Sequence, residues 1–388
     1  MADWEALRAS IPALQEQVYL NTGVSGPPTR EILEEELAWV RRLGQQGPGS
    51  FGVLTEALDY LDQVRGALAR LIGAEPQEIA LTHSCSEGLA IVAAGLPWQA
   101  GDEVVVTDLE HISGLLPWFH LARQRGIAVR RVPDRDGRLV VDDVRAALTE
   151  RTRLICMSHV AYNTGAVLPV ADVASLARER GIWLLVDGAQ GAGQVPVDVK
   201  ALGCHFYAGA GQKWLLGPDG TGFLYVDQAA LDAVAVTWIG WASVVHEDVP
   251  AGAFRFHPGA RRFEVAGLHV PSFAALGKGA DLWHSLGVAA ARGRILALVD
   301  RLREGLARLP QVEILSPGPE PLRSGLVVFR MAGVDAPVAV EQLWERHRIA
   351  CRWVPAPRAV RVSVHAFNNE DDIDRLVAAV GELVRAAG

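Results

Sequence analysis

Short apolar segments alternate with longer amphipathic ones over the first 230 residues, and this alternation constrains the fold more than any other feature of the chain. Alternating strand and helix patterns predict an α/β domain built on a mostly parallel sheet. Segments such as IWLLV are apolar at every position, which is typical of strands covered on both faces. Seven strands are predicted: EIALT (78–82), EVVVT (103–107), AVRRV (128–132), RLICM (153–157), IWLLV (182–186), CHFYA (204–208) and TGFLYV (221–226).

The pattern changes after about residue 230. A loop-rich segment, 238–262, precedes a long helical pattern from about residue 271 to 309. Short strands and helices then alternate up to a final helix over about 370–387, with Asn368 or Asn369 as its N-cap. We therefore predict a large α/β domain over residues 19–255 and a smaller α+β domain formed by residues 1–18 and 256–388.

Charge and apolar runs argue against several classes of protein. The 388-residue chain has a net charge of −8 and no cluster of basic residues, so a nucleic-acid partner is not expected. No apolar run approaches the roughly 20 residues that cross a bilayer, so no membrane partner is expected either. The start of the chain lacks the layout of a secretion signal.

The four cysteines are widely scattered, with no CxxC pair and no Cys/His cluster. Disulfides and a metal site are therefore not expected, and the predicted location is the cytoplasm. Lysine is scarce, since only Lys200, Lys213 and Lys278 occur among 37 basic residues. A chemistry that depends on lysine therefore has three candidates.

Ligands of open α/β sheets bind beyond the carboxyl ends of the strands, so the residues after each predicted strand are candidates for a site. Ser84, Cys85 and Ser86 follow the first strand where a helix should begin. Backbone N–H groups and a serine hydroxyl at that place suit a phosphate, although a plain N-cap explains them as well. His111 follows the second strand, where its ring could lie against an aromatic ligand or serve only the structure.

Three polar residues follow later strands. Asn163 could hydrogen-bond a phenolic oxygen, or could be a turn residue without further function. Asp187 ends a buried strand, which costs stability unless the carboxylate is paired. A protonated ring nitrogen, as in pyridoxal 5′-phosphate (PLP), is a suitable partner, whereas an ordinary helix cap is the alternative. Gln190 could donate a hydrogen bond to the phenolate of the same ring.

Lys213 lies in a glycine-rich segment, GAGQKWLLGPDG, between two apolar strands. A desolvated lysine has a lowered pKa and readily forms Schiff bases. Lys200 and Lys278 are predicted to lie at the surface. The order of these candidates along the chain, each at a strand's carboxyl end, therefore favours Lys213 as the reactive lysine.

At these motifs the chain resembles the fold-type I PLP enzymes of the aminotransferase class V family, which include cysteine desulfurases, cystine lyases and isopenicillin-N-epimerase-like proteins. The resemblance runs from YLNTG (19–23) to NNEDDIDRL (368–376), and VDGAQGAGQVPVDV and GQKWLLGPDGTGFLYV are its most specific segments. It implies a seven-stranded PLP-transferase fold and a homodimer. It also implies a role for each candidate: Lys213 binds PLP as a Schiff base, Asp187 faces the pyridine nitrogen, Gln190 contacts the ring oxygen, His111 stacks on the ring, and Ser86 and Gln212 contact the phosphate.

Three positions depart from the family pattern. Ala210 stands where many relatives have a serine or threonine that binds the phosphate, and Gln212 replaces the histidine that precedes the lysine. Gly267, in RRFEVAGLHVP, stands where a threonine often reaches the phosphate across the dimer. Fewer side chains are therefore expected to hold the phosphate, with backbone N–H groups in their place.

The reaction depends on how the substrate is oriented. Arg361 matches the family's carboxylate-binding position, Arg352 is a second candidate, and Asn21 is a third predicted substrate contact. A cysteine desulfurase needs a cysteine on the loop between these arginines, but that loop reads WVPAPRAV. Cys351 precedes the loop and is predicted to be a small core residue.

The paired arginines, the missing loop cysteine and the NTGAVLP segment resemble the cystine/cysteine C–S lyase branch. The resemblance implies β-elimination with Lys213 as the base, giving pyruvate, ammonia and sulfide or persulfide. Transamination, amino-acid epimerisation and desulfuration remain as alternatives. A PLP-binding regulator without catalysis is disfavoured because the chain has no length for a DNA-binding domain.

Overall fold

The computed structural model of the protein describes residues 2–387. Its α-helices are α1 (Trp4–Ala9), α2 (Arg30–Gln46), α3 (Phe51–Ile72), α4 (Cys85–Gly95), α5 (Ile112–Arg125), α6 (Val141–Ala147), α7 (Val170–Glu179), α8 (Val199–Leu202), α9 (Val270–Leu286), α10 (Val288–Ala307), α11 (Ala336–His347) and α12 (Glu370–Ala387). Its strands are β1 (Val18–Tyr19), β2 (Ile79–Thr82), β3 (Glu103–Thr107), β4 (Ala128–Val132), β5 (Thr152–Ser158), β6 (Trp183–Asp187), β7 (Phe206–Ala210), β8 (Gly222–Val226), β9 (Val244–Asp248), β10 (Ala253–Phe256), β11 (Val312–Ile314), β12 (Leu326–Met331), β13 (Ile349–Ala350), β14 (Arg352–Val354) and β15 (Ala359–Ser363).

All seven predicted strands join one sheet, in the order β2-β8-β7-β6-β5-β3-β4. Strand β8 runs antiparallel to both of its neighbours, and the other pairs are parallel. The predicted fold class, a mostly parallel seven-stranded sheet with a smaller α+β part, is confirmed. Strand β7 begins at Phe206, two residues later than predicted.

Helices cover both faces of this sheet, which explains its continuous apolar strands. Val104 and Val106 pack with Trp118 of α5 on one face. Val105, between them, packs on the opposite face with residues of α7 such as Leu176. Neighbouring residues of one strand therefore belong to two different cores, and neither face tolerates regular alternation with polar residues.

The last third of the chain forms a four-stranded antiparallel sheet, β11-β12-β15-β14, against which α10 and α11 pack. The single helical pattern predicted over 271–309 is wrong in one respect, since it breaks into α9 and α10 at Gly287. Gly287 adopts φ +79°, which favours glycine. The predicted loop 238–262 contains a hairpin of β9 and β10 whose residues are mostly exposed, so it lacks the apolar alternation that signals a strand.

The helix end predicted for the final segment is confirmed in detail. Asn369 Oδ1 accepts a hydrogen bond from the backbone N–H of Asp372, so Asn369, rather than Asn368, caps α12. Asn368 instead donates to the backbone oxygen of Tyr19 and to Asp372. Over residues 2–387, no helix combines the length and the apolar character that crossing a membrane requires.

Several contacts bear on the predicted domain division at residue 255, which stays a prediction. Strand β1 pairs with β13, and Asn21 forms a bridge with Ser363, so the start of the chain joins the C-terminal part. Helix α9 packs against α2 and α3. Arg361 of β15 donates to the backbone oxygen of Tyr162, beyond β5, so the C-terminal part lies beside a carboxyl end of the large sheet, where a ligand cavity is expected.

Candidate active site

A cavity of about 260 Å³ lies where the strand ends of the large sheet meet β14 and β15. Its wall contains ten of the twelve predicted site residues: Ser84, Cys85, Ser86, His111, Asp187, Gln190, Gln212, Lys213, Arg352 and Arg361. Residues separated by as many as 277 positions in sequence thus meet in one place. The structure therefore brings ten of the twelve predicted residues to one cavity.

Two predicted site residues do not line this cavity. Asn163 and Asn21 lie outside its wall, and each has a buried side-chain oxygen without a hydrogen-bond partner. Tyr162, one position before Asn163, lines the cavity instead. The sequence analysis missed Ser158, which ends β5, and Tyr162, which lies four positions beyond that end.

The start of α4 faces the cavity. Ser84 is the N-cap, and its Oγ accepts a hydrogen bond from the backbone N–H of Glu87 at 3.1 Å. Ser86 is exposed to the cavity, and the N–H groups of the first turn have no partner within the helix. Both predicted functions, a helix cap and an anion site, are therefore compatible with one segment.

Asp187 ends β6 and is buried. Its Oδ1 accepts hydrogen bonds from the backbone N–H of Ala189 at 2.9 Å and from Cys85 Sγ at 3.2 Å. Its Oδ2 lies on the side of Gly114, in the first turn of α5. The carboxylate is therefore held in place from one side and keeps an oxygen for a further partner.

His111 is the N-cap of α5, and its Nδ1 accepts from the backbone N–H of Ser113 at 3.2 Å. The ring meets Tyr162 edge-on, with 5.0 Å between centroids and an interplanar angle of 89°. Burial lowers the pKa of His111, and the positive charge of Lys213 lowers it further. The imidazole is therefore favoured in its neutral form.

Gln190 is engaged on both sides of its amide group. Nε2 donates to the backbone oxygen of Gly23 at 2.7 Å, and Oε1 accepts from Trp214 Nε1 at 2.8 Å. It thereby ties the residue after Lys213 to the N-terminal segment. One N–H of Nε2 remains for the ring contact that the resemblance implies.

Lys213 follows β7 in the cavity wall. Burial lowers the pKa of its amine, and the nearby carboxylate of Asp187 opposes that shift. Lys200 instead contacts Glu78 and Tyr225, and Lys278 is exposed on α9. Among the three lysines, only Lys213 lines the cavity, and its lowered pKa suits Schiff-base chemistry.

Two arginines form the opposite wall, and their Cα atoms are cross-strand partners in β14 and β15. Arg361 is 2% exposed, its Nη1 donates to the backbone oxygen of Tyr162 at 3.0 Å, and its Nε and Nη2 are buried without partners. Burial lowers its pKa to about 10. Arg352 is exposed and makes only a 3.3 Å bond to the backbone oxygen of Trp353.

The positions that depart from the family pattern fall in two places. Ala210 and Gln212 line the cavity, and Gln212 Oε1 is buried without a partner. Gly267 lies in a separate apolar groove beside α2 and α3, with φ +66° and open space around it. Within one chain, only the first two positions are therefore placed to contact a ligand in this cavity.

The donor set fits a compact anionic aromatic cofactor. A carboxylate faces a lysine across the cavity, a helix start offers unpaired N–H groups, and a neutral imidazole adjoins an aromatic ring. The far wall carries a guanidinium with two free nitrogens. The fold and the polar groups of this cavity suit PLP as the bound cofactor.

The sequence matches the family model of aminotransferase class V over residues 29–376. The isopenicillin N epimerase of Streptomyces clavuligerus is 35% identical, over 99% of both chains. A probable cysteine desulfurase of Methanothermobacter thermautotrophicus is 30% identical, over 98% of both. The solved cystine C–S lyase C-DES, in complex with cysteine persulfide, superposes with a TM-score of 0.91 at 30% identity, over 96% of this chain and 99% of that one.

The chain therefore belongs to the aminotransferase class V family. This confirms the predicted family, the prediction of an enzyme and PLP as its cofactor. A mutant of C-DES has glycine covalently linked to its PLP cofactor.

Proposed function

We propose that this protein is a PLP-dependent C–S lyase that cleaves cystine- or cysteine-type amino acids by β-elimination. The observation that carries the proposal is the arginine wall of the cavity. Arg361 offers two unpartnered nitrogens to a carboxylate, while the loop beside it, residues 355–358, carries no cysteine. The site can therefore bind the substrate but has no thiol on that loop to accept sulfur.

The roles of the site residues follow from their positions. Bound PLP would draw electrons from the substrate's α-carbon and so acidify its proton. The Lys213 amine, whose pKa burial lowers, would take that proton. Arg361 would hold the carboxylate, and Asp187 would hold the ring nitrogen protonated. For cystine, one water is consumed, and pyruvate, ammonia and cysteine persulfide are the products.

The remaining cysteines do not supply the sulfur acceptor of a desulfurase. All four are buried, and burial raises the pKa of Cys351 to about 12. Cys85 lines the cavity, but burial and the Asp187 carboxylate raise its pKa well above the usual value. A thiolate is the nucleophile in sulfur transfer, so neither thiol is activated.

The test is product identification. Purified protein with PLP is incubated with L-cystine or L-cysteine, and pyruvate, ammonia, alanine and sulfur species are measured. Pyruvate and ammonia in equal amounts, with sulfide or persulfide, support the proposal. Alanine would mean desulfuration, and the absence of every product from a PLP-loaded protein would refute the lyase assignment.

Epimerisation is a second candidate, favoured by the 35% identity to an isopenicillin N epimerase. An epimerase must return the α-proton to the face opposite to the one it left. Tyr162 and His111 stand together in the cavity wall and could serve a second face. Loss of optical activity, or deuterium uptake at the α-carbon without pyruvate, would favour this candidate.

We also propose a cytoplasmic homodimer. The chain has free, buried cysteines, in keeping with a reducing compartment. A groove between α4 and α5 adjoins the cavity at Ser86 and Ser113, and Leu116 is exposed within it. A second copy of the chain seated there would cover apolar surface and narrow the cavity mouth.

Light scattering tests the dimer. The native protein is expected at twice the chain mass, and Leu116→Arg is expected to lower that mass. Val338→Arg, which alters an exposed residue of α11, serves as the matched control. A native protein that runs as a monomer at micromolar concentration would contradict the dimer.

A further inference from the structure

We call the part of the cavity wall formed by Cys85, Ser158 and Asp187 its floor. Glu110 lies beneath this floor, in the turn after β3 and directly before His111. It is buried, and its two oxygens accept hydrogen bonds from two hydroxyls at 2.6 Å, Oε1 from Thr107 and Oε2 from Ser158. Within residues 2–387 it forms no ion pair with an arginine, lysine or histidine. A buried carboxyl without a cationic partner is costly as an anion, so its position requires an explanation.

A second carboxyl lies close to it. Ser158, which bonds Glu110, is the register partner of Asp187 in the parallel pair β5–β6. Both carboxyls face Gly114, where an added Cβ would lie 3.6 Å from Glu110 Oε2 and 3.8 Å from Asp187 Oδ2. Two carboxyls in such a buried place do not readily carry a charge at the same time.

The hydrogen bonds indicate which carboxyl holds the proton. Asp187 receives a backbone N–H, which can only donate and so favours the anion. The hydroxyls around Glu110 can reverse and accept, so they tolerate a protonated carboxyl. Burial, together with the charge of Asp187, raises the pKa of Glu110 to about 7, against the two hydroxyl bonds, which lower it.

Few other titratable groups surround Glu110. On β5, the Cys156 thiol has a pKa raised by burial and by Glu110 itself, so it stays neutral. On β6 the group is Asp187, and on its own turn His111 has a lowered pKa. The charge closest to Glu110 is therefore that of Asp187, whose carboxylate also interacts with the Lys213 amine.

We propose that Glu110 is a positioning residue that acts through Ser158 and Asp187, keeping a proton under the cavity floor and giving it up when a cationic ring nitrogen lies against Asp187. The inference rests on the proposed function for the identity of that cation. Cofactor binding and Glu110 ionisation are then linked, and each favours the other. Glu110 itself touches neither cofactor nor substrate.

The test is the apparent PLP affinity, measured by visible absorbance from pH 5.5 to 8.5, for the wild type and Glu110→Gln. We expect the affinity of the variant, relative to wild type, to fall by up to about tenfold as pH rises through 7, since only the wild type gains a carboxylate. A merely structural role would weaken binding equally at every pH. A ratio of wild-type to Glu110→Gln PLP affinity that does not change with pH would overturn the proposal.

Thr107→Val sharpens this test and replaces it if Glu110→Gln does not fold. Thr107 does not line the cavity, and valine removes one hydroxyl bond to Glu110 with little change of shape. The pKa of Glu110 should rise, so the increase of PLP affinity that accompanies its ionisation should occur at higher pH than in the wild type. If the PLP affinity of this variant increases at the same pH as in the wild type, Glu110 is not the group that causes the increase.

Unfolding of the apoprotein separates this inference from the cofactor assignment. In the fold, Glu110 keeps its proton up to about pH 7, whereas an unfolded glutamate loses it near pH ~4.3. The folded state therefore binds more protons, and the wild type should lose stability relative to Glu110→Gln as pH rises from 5 to 7. Glu103→Gln is the control. Because Arg130 lowers the pKa of Glu103, the difference in stability between the wild type and this variant should stay constant from pH 5 to 7.

A protein that binds no PLP would refute the proposed function, and the stability slope would then decide the role of Glu110. Equal slopes in the wild type and Glu110→Gln would show that Glu110 holds no proton in the fold and would overturn the inference. A slope less positive in the wild type than in Glu110→Gln would support it, because the lowered pKa values of His159 and His365 make both proteins gain stability as pH rises. Failure of the proposed function and failure of the Glu110 inference therefore give different results.

Discussion

The floor and the arginine wall of the cavity differ in how far their polar groups are hydrogen-bonded within the fold. Asp187 on the floor and Glu110 beneath it both have hydrogen-bond partners within the fold. On the wall, two buried nitrogens of Arg361 have no hydrogen-bond partner. Behind the wall, the side-chain oxygens of Ser363 and Asn21 also lack partners. Hydrogen bonds within the fold already hold the floor's carboxyls in place, whereas the wall lacks a partner that a substrate carboxylate would supply.

This difference separates two kinds of preparation. A rigid floor can orient a cofactor that stays bound, because its own hydrogen bonds fix each carboxylate. An unsatisfied wall costs stability in the free protein and regains it when a ligand binds. Changes on the wall should therefore affect the substrate, and changes on the floor should affect the cofactor.

Lys213 stands between the two regions, and its loss should have the largest effect. Lys213→Ala removes the predicted base and should lower the rate of product formation by about 10³-fold or more. Lys278→Ala, on the exposed face of α9, should leave the rate unchanged. Pyruvate formation measures both, and a Lys213→Ala protein with near-native activity would remove this residue from the chemistry.

Arg361→Lys tests the wall. It keeps the charge but loses the planar fork, so kcat/KM should fall roughly 100-fold, equivalent to about 3 kcal/mol. The visible spectrum of bound PLP should not change. Arg358→Lys alters a nearby arginine that pairs with Asp335 at the surface, and activity should persist. A spectral change in Arg361→Lys would erase the distinction between wall and floor.

Arg352→Ala should have a smaller effect than the Arg361 variant, although the two residues are cross-strand partners. Arg352 is exposed, so water screens its charge, and kcat/KM should fall only about fivefold. Raising the salt concentration should reduce the difference from wild type. An effect as large as that of Arg361→Lys would show that both arginines bind the carboxylate directly.

Cys85→Ala is the mildest change to the floor. It removes a weak thiol contact to Asp187, which retains its bond from the backbone of Ala189. PLP affinity should fall about twofold, with KM for the amino acid unchanged. A change confined to KM would place Cys85 with the wall instead.

Local errors of the sequence analysis have physical causes. The helical pattern over 271–309 continues across Gly287, and only the backbone turn at that residue divides it. Asn163 and Tyr162 follow the same strand end, and the residue that enters the cavity depends on the turn that follows β5. Glu110 and Ser158 went unnoticed because a buried carboxyl next to a candidate histidine has no pattern of its own in sequence.

The sequence by itself determined the seven strands, the order of the strand-end residues and the choice of Lys213. These features depend on short-range apolar periodicity and on motifs that lie within a single continuous segment of the chain. Only the tertiary structure decided that Asp187 contacts Cys85 and lies near Glu110, and that Arg361 faces the cavity with two nitrogens unpartnered. Those contacts join segments far apart in the chain, so they depend on sheet register and packing, which no local pattern encodes.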